Sequence, residues 1–283
     1  MQIQRKIFHN PELQKEFDRK GFVIFNLFSD EEIRNFIKLY DDLEGVKGTA
    51  NTNKNTYELS FFEKDVESKK KKFNAIYSFM KPLIDKHLDN YSPIIINLFN
   101  KEQGTGDVPI HQNWTFVDEK KYTSVSVWCP LQPVSHENGT LEVVPGSHKV
   151  ISDYRGPSIP WVFDELNEIM KIKYMVPLEL QPGEVAVIDD SVIHYSGVNN
   201  TQAERKAIQL ILKPAEVNTI HCFKDSPEND NINIIEVEDD YFFDFNMWEK
   251  PNGGKNKNVI SFPIHKISET ELIDLCNVNL KMS

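Results

Sequence analysis

Apolar positions recur every three or four residues in the first part of the chain, then every second residue or in short unbroken runs. In "NPELQKEFDRKG", Asn10 is an N-cap, Pro11 suits the first helical turn and Gly21 is a stop. "GFVIFNLF" follows as a short buried strand. "SDEEIRNFIKLYDDLE" opens on a capping box, Ser29 with Glu32, and lines up Ile33, Phe36, Ile37 and Tyr40 on one face. A third helix is predicted from Val66 to Asp89, with its run of four lysines on the solvated side. From Tyr91 the pattern shortens. "SPIIINLFN", "YTSVSVWCPLQPV", "GTLEVVPGS", "KYMVPLEL", "GEVAVIDD", "SVIHYSGV" and "KAIQLILKP" read as strands, with turn signals such as "HENG", "PGSH" and "QPGE" between them. Many short, evenly spaced strands suggest an antiparallel sandwich or barrel.

Past Ala215 the texture is mixed. "EVEDDYFFDF" reads as a solvated edge or lid, and "KPNGGKNKN" as flexible. No internal repeat or clean linker divides the chain. The expectation is one domain over 1–283: a helical lead-in (1–90), a β-rich core (91–214) and a C-terminal extension (215–283) packed on that core.

Composition narrows the function classes. With 40% hydrophobic and 11% aromatic residues, the 283-residue chain can bury a sizeable core. A net charge of −11 argues against nucleic acid or an anionic membrane surface as a partner. The three cysteines, Cys129, Cys222 and Cys276, are far apart and form no CxxC pair, so neither a zinc site nor a disulfide framework is indicated. "MQIQRKIFHNPELQ" lacks the apolar region of a signal peptide, and no apolar run reaches membrane-spanning length. A soluble, cytoplasmic protein is expected.

Candidate chemistry centres on histidine. In "VPIHQNWTFVDE", His111 and Asn113 share one face of an extended segment. His194 stands in "IHYSGVNN", and Arg205 follows it by eleven residues at the start of a strand. A metal ligand and a fixed guanidinium on neighbouring strands suit a dicarboxylate held by metal at one end and by a bidentate salt bridge at the other.

With "HQNW", "VWCPLQPV…ENGTLEVVPGSHK" and "PGEVAVIDDSVIHYSGVNNTQAERKAI", the chain resembles the phytanoyl-CoA dioxygenase-like family of Fe(II)- and 2-oxoglutarate-dependent oxygenases, over roughly Gly21 to Pro214. The resemblance implies a double-stranded β-helix, mainly β with flanking helices, of the jelly-roll, cupin-like kind. It implies iron on His111 and His194, with the 2-oxoglutarate distal carboxylate on Arg205 and Ser196. Gln112 and Trp128 would also contact this cosubstrate. The implied reaction uses O₂ and 2-oxoglutarate to hydroxylate a small or medium organic substrate, releasing succinate.

The family's third ligand is an aspartate two residues after the first histidine, and here it is Asn113. Four readings are open. Asn113 or water completes a weaker, working site; the chain is an inactive relative that binds 2-oxoglutarate, another ligand or a partner without turnover; Asp118 or Glu119 reaches in through a bulge; or a halide takes the open position. Arg155, in a loop, is a candidate for an anionic substrate group. His148 is read as ordering its own loop, Asp189 and Asp190 as turn residues or partners of the ligands, and Cys129 as buried and inert.

Overall fold

The computed structural model describes residues 5–43, 49–52, 55–148, 154–226, 228–247, 249–263 and 265–281. Helix α1 (Pro11–Lys20) is capped as its sequence demands: the Asn10 side chain accepts from the Glu12 and Leu13 N–H groups, and Gly21 closes it at φ 80°. Helix α2 (Asp30–Asp42) carries the complete Ser29/Glu32 capping box and buries Ile33, Phe36 and Tyr40. Helix α3 (Val66–Ile84) stops short of the expected Asp89. After Ile84 the chain turns to pair with the N-terminal segment, through Asp89 N–H to Ile7 O and His9 N–H to His87 O, both 2.9 Å.

The lysine run on α3 is not wholly solvated. Lys72 is 4% exposed and its Nζ lies 2.6 Å from Oε2 of the buried Glu63. Nor are the first 90 residues purely helical. Besides β1 (Phe22–Asn26) they contain a hairpin, β2 (Thr49–Thr52) and β3 (Asn55–Leu59), that joins the main sheet.

The main sheet has seven antiparallel strands, which include β4 (Tyr91–Lys101), β6 (Val125–Pro130), β9 (Glu184–Asp189) and β11 (Arg205–Pro214), in the order β1-β9-β6-β11-β4-β3-β2. Facing it is a four-stranded sheet, β5-β10-β7-β8, made of β5 (Val108–His111), β7 (Leu141–Val143), β8 (Val176–Pro177) and β10 (His194–Ser196). Because side chains alternate along a strand, each main-sheet strand serves two layers. Val127, Cys129, Val185, Val187, Leu98 and Leu210 pack outward with Phe17, Phe36, Ile76 and Met80 of the helices. Trp128, Ala186, Ile188 and Ala207 point inward and meet Leu141 and Val143 of the second sheet. The result is a double-stranded β-helix, a cupin-like jelly roll with helices on one outer face.

The C-terminal residues are more ordered in pattern than their sequence suggests. A third antiparallel sheet joins β12 (Thr219–Lys224), β13 (Asn231–Val237) and β14 (Lys255–Ser261), so much of "KPNGGKNKN" leads into or forms a strand. In "EVEDDYFFDF", Phe242 is 5% exposed and packs on Phe116 and near Trp114, and is therefore core and not a solvated edge. Two further α-helices are α4 (Asn167–Lys173) and α5 (Glu269–Lys281). Among the described residues no helix is long and apolar enough to cross a membrane.

The buried Lys72–Glu63 pair gives a stability prediction. Lys72→Ala leaves Glu63 buried without its cation and should destabilise by about 3–5 kcal/mol. The double variant Glu63→Leu/Lys72→Met should recover most of that loss, read as the midpoint of urea unfolding.

Candidate functional site

Between the two sheets lies a cavity of about 550 Å³. The last residue of β5 and the first of β10 are register partners, His111 opposite His194. Pairing across antiparallel strands sets their side chains on one face, and the ring centroids are 4.1 Å apart. In each ring Nδ1 meets a backbone carbonyl two residues back: His111 to Pro109 O at 2.7 Å, His194 to Val192 O at 2.8 Å. A carbonyl only accepts, so each Nδ1 carries the proton and each Nε2 keeps its lone pair. Burial pushes the His111 pKa down, and burial together with the neighbouring His111 holds that of His194 well below the usual imidazole range. Both rings are therefore neutral, the form that binds a metal.

Asn113 also lines the cavity, but not as a strand neighbour of His111. β5 ends at His111 and Asn113 lies beyond it. Its Nδ2 donates to Asp190 Oδ1 at 2.8 Å and to Ser126 Oγ at 3.0 Å. Asp190 is completely buried, and burial raises its pKa to about 7 while hydrogen bonds from Asn113 and Ser126 pull the other way. Neither downstream carboxylate reaches the histidines. Glu119 is paired with Arg155 and Asp118 with Lys121 at 2.8 Å. Among the described residues no three His, Cys, Asp or Glu side chains form a metal-holding group, so a bulge delivering Asp118 or Glu119 is excluded as the source of a third ligand.

Opposite the histidines, the inward positions of β4, β6 and β11 present a cationic end. Arg205, 2% exposed, donates through Nη2 to Gly139 O (3.0 Å) and Ser196 Oγ (3.1 Å), and its guanidinium carbon sits 5.7 Å from the Trp128 ring centroid. Its Nε and Nη1 are buried with no hydrogen-bond partner. Burial draws the pKa to about 10, so the group stays charged at neutral pH. Two unmet donors on a buried cation cost about 1–3 kcal/mol each, and an entering carboxylate would relieve that. Gly139 has to be glycine: at φ 69°, a Cβ would lie 2.2 Å from Gly197 O, and its carbonyl accepts from both Arg205 and Ser196.

Lys101 was not singled out by sequence. It is 0% exposed and donates to Ser196 O, Ser196 Oγ and Gly197 O at 2.9, 2.6 and 2.7 Å. Burial, then the charge of Arg205, pushes its pKa well down. The available signal was the alternation Ile95, Asn97, Phe99, Lys101, which places Lys101 on the same inward face as residues lining the cavity. Gln209, inward on β11, was also missed. It donates to Ser126 Oγ at 3.2 Å and lines the same wall.

Of the remaining expectations, Gln112 lines the cavity and is anchored by Nε2 donating to Ser191 O at 2.5 Å. Trp128 and Ser196 line it too. Arg155 reaches the cavity wall, but its fork is spent: Nη1 and Nη2 donate to the two Glu119 oxygens at 2.9 and 2.5 Å, and Nε donates to Asn113 O at 2.7 Å. Its reading as a clamp for a substrate anion is corrected accordingly, since its charge is matched within the protein and its donors hold the Asn113 segment in place. His148 Nε2 bonds to Asp18 O at 3.0 Å, tying its loop to α1. Cys129 is fully buried and burial raises its thiol pKa strongly.

Comparison with known proteins bears on the family and the fold. The profile of the family described as phytanoyl-CoA dioxygenase matches residues 17–207. A Dictyostelium discoideum protein named phytanoyl-CoA dioxygenase domain-containing protein 1 homolog is 30% identical over 145 residues, 48% of this chain and 49% of that protein. The peroxisomal phytanoyl-CoA dioxygenase of Homo sapiens is 24% identical over 259 residues, 82% of this chain and 76% of that one. The chain spans about half the length, or less, of the first curated relatives it matches. Among solved structures, the epimerase SnoN, in complex with Fe³⁺, alpha ketoglutarate and nogalamycin RO, aligns with a TM-score of 0.55 at 18% identity, over 74% of this chain and 84% of that chain. That likeness is one of fold.

The histidine pair yields a direct prediction. His111→Ala or His194→Ala should weaken Mn(II) binding roughly 100-fold or more, beyond the 10–100-fold typical of losing only a ligand's supporting partner. Titration calorimetry measures this, and unchanged binding in both variants would contradict the pairing as a metal site.

Proposed function

The chain belongs to the phytanoyl-CoA dioxygenase family, and from that membership and the chemistry of the cavity we propose that it is an Fe(II)- and 2-oxoglutarate-dependent oxygenase that hydroxylates a small or medium organic substrate. The observation that carries this reading is the pairing of two neutral, backbone-anchored imidazoles in one cavity with a buried guanidinium whose Nε and Nη1 lack partners. These donor types suit the implied groups: imidazole nitrogens for a divalent iron, and a planar cation for a carboxylate.

In this reading His111 and His194 hold the iron and Asn113 completes the protein side of the site through its amide oxygen. Arg205 and Ser196 take the distal carboxylate of 2-oxoglutarate, with Lys101 fixing Ser196 from behind. Gln112 and Trp128 wall the cosubstrate, Trp128 by packing under the guanidinium. When bound, iron, 2-oxoglutarate and O₂ together supply the oxidising power for a C–H bond, and 2-oxoglutarate leaves as succinate and CO₂. The protein's part is to orient and to exclude water. Much of the remaining lining is apolar or aromatic, including Phe61, Phe62, Trp114, Tyr154, Ile159 and Trp161. Such a wall favours an apolar substrate presented by shape.

Asn113 taken alone favours a second reading, a binding protein without turnover, because a neutral amide offsets none of the metal's charge. Succinate formation from 2-oxoglutarate with added Fe(II) separates the two: the oxygenase reading expects it in the wild type, and its absence alongside tight 2-oxoglutarate binding points to the silent binder. Arg205→Met should weaken 2-oxoglutarate binding by about 2–5 kcal/mol, the loss typical of truncating one partner of a buried charge pair, while Mn(II) binding stays near the wild-type value. Equal 2-oxoglutarate affinity in the variant would remove Arg205 from the cosubstrate site.

A further inference from the structure

Asp190 lies on the turn between β9 and β10, four residues before His194, and is 0% exposed. Its Oδ1 accepts from Asn113 Nδ2 at 2.8 Å and from Ser126 Oγ at 2.7 Å. Ser126 Oγ in turn accepts from Asn113 Nδ2 at 3.0 Å and from Gln209 Nε2 at 3.2 Å. A hydroxyl has one proton to give. Ser126 spends it on Asp190, so towards Asn113 it can only accept. The atom facing Ser126 must then be the amide nitrogen. The amide nitrogen of Asn113 thus faces Ser126 and Asp190 together, and the oxygen, on the other arm of the planar amide, is the polar side-chain atom left for the cavity that Asn113 lines.

We propose that Asp190 is a positioning residue that locks the Asn113 amide with its oxygen offered to the histidine pair. The carboxyl group of this site thus stands one hydrogen bond further out. This inference rests on the metal reading above. It also means that Asn113→Asp alone is not a clean restoration of an aspartate ligand, because it sets a second carboxylate against a buried one. The isosteric exchange, Asn113→Asp/Asp190→Asn, keeps one carboxylate and one amide and reverses their order.

The test is Mn(II) affinity by calorimetry for the wild type, Asp190→Leu and the exchanged double variant, with thermal melting of each metal-free protein to establish folding. Asp190→Leu removes the acceptor and should bind roughly 10–100-fold more weakly, as expected when a ligand loses the partner that orients it. The double variant, in which an amide at position 190 again holds the side chain at position 113, should return to wild-type affinity or better. Cobalt(II) absorption should follow the same order, altered in Asp190→Leu and regained in the exchange. Wild-type affinity in Asp190→Leu overturns the positioning role while leaving the metal reading standing, as does a double variant no tighter than that single variant. If Asp190→Leu does not fold, the double variant against wild type decides: equal or tighter binding supports the role, and binding more than about tenfold weaker overturns it. No Mn(II) binding by wild type or double variant overturns both this inference and the metal reading.

Discussion

The two-residue alternation of the main sheet is the constraint on which everything else depends. Strands β4, β6, β9 and β11 bury one set of side chains against α1, α2 and α3, and that layer includes the fully buried Phe17, Phe36, Ile76 and Met80. With the outward face anchored in this way, a slip of one residue would turn the whole apolar set into the cavity. The inward positions are thus fixed in place. Some pack against the second sheet, as Trp128, Ala186, Ile188 and Ala207 do, and others can be polar: Lys101 on β4, Ser126 on β6, Arg205 and Gln209 on β11. The outward face is core throughout, while the inward face divides between core and chemistry.

The two ends of the cavity solve different electrostatic problems. At the histidine end burial keeps the two imidazoles neutral, while the backbone carbonyls of Pro109 and Val192 fix which nitrogen carries the proton. At the far end two buried basic groups share Ser196 Oγ, with Arg205 also on the Gly139 carbonyl and Lys101 also on that of Gly197, and burial and then the Arg205 charge push the Lys101 pKa down. Carbonyls and a hydroxyl satisfy part of that charge, but Nε and Nη1 of Arg205 remain unmet. A dicarboxylate that spans from metal to guanidinium answers both ends at once, which is why the arrangement favours a cosubstrate of that shape over a monoanion.

Much of this was legible in the sequence. The first two helices carry their stop and start signals in Asn10, Gly21, Ser29 and Glu32, and the structure places each cap on those residues. The motif spacing marked His111, His194, Arg205, Ser196, Gln112 and Trp128, all of which line one cavity. The parts that were not legible are pairings in space. Nothing local tells that Lys72 is buried on Glu63, that Glu119 neutralises Arg155, or that the polar runs of the tail pair as a third sheet. Asp190 was visible as a neighbour of the second histidine, but its bond to Asn113 depends on a contact 77 residues away in the chain. Alternation could have exposed Lys101, since it is the fourth inward residue of a strand whose other inward members were apolar, amide and aromatic.

The most direct measurement is a crystal structure of the protein grown without oxygen in the presence of Mn(II) and 2-oxoglutarate. The account predicts one metal ion touching Nε2 of both His111 and His194, with the remote carboxylate of 2-oxoglutarate on Nε and Nη1 of Arg205. A metal bound elsewhere, or 2-oxoglutarate lying away from that guanidinium, would contradict it.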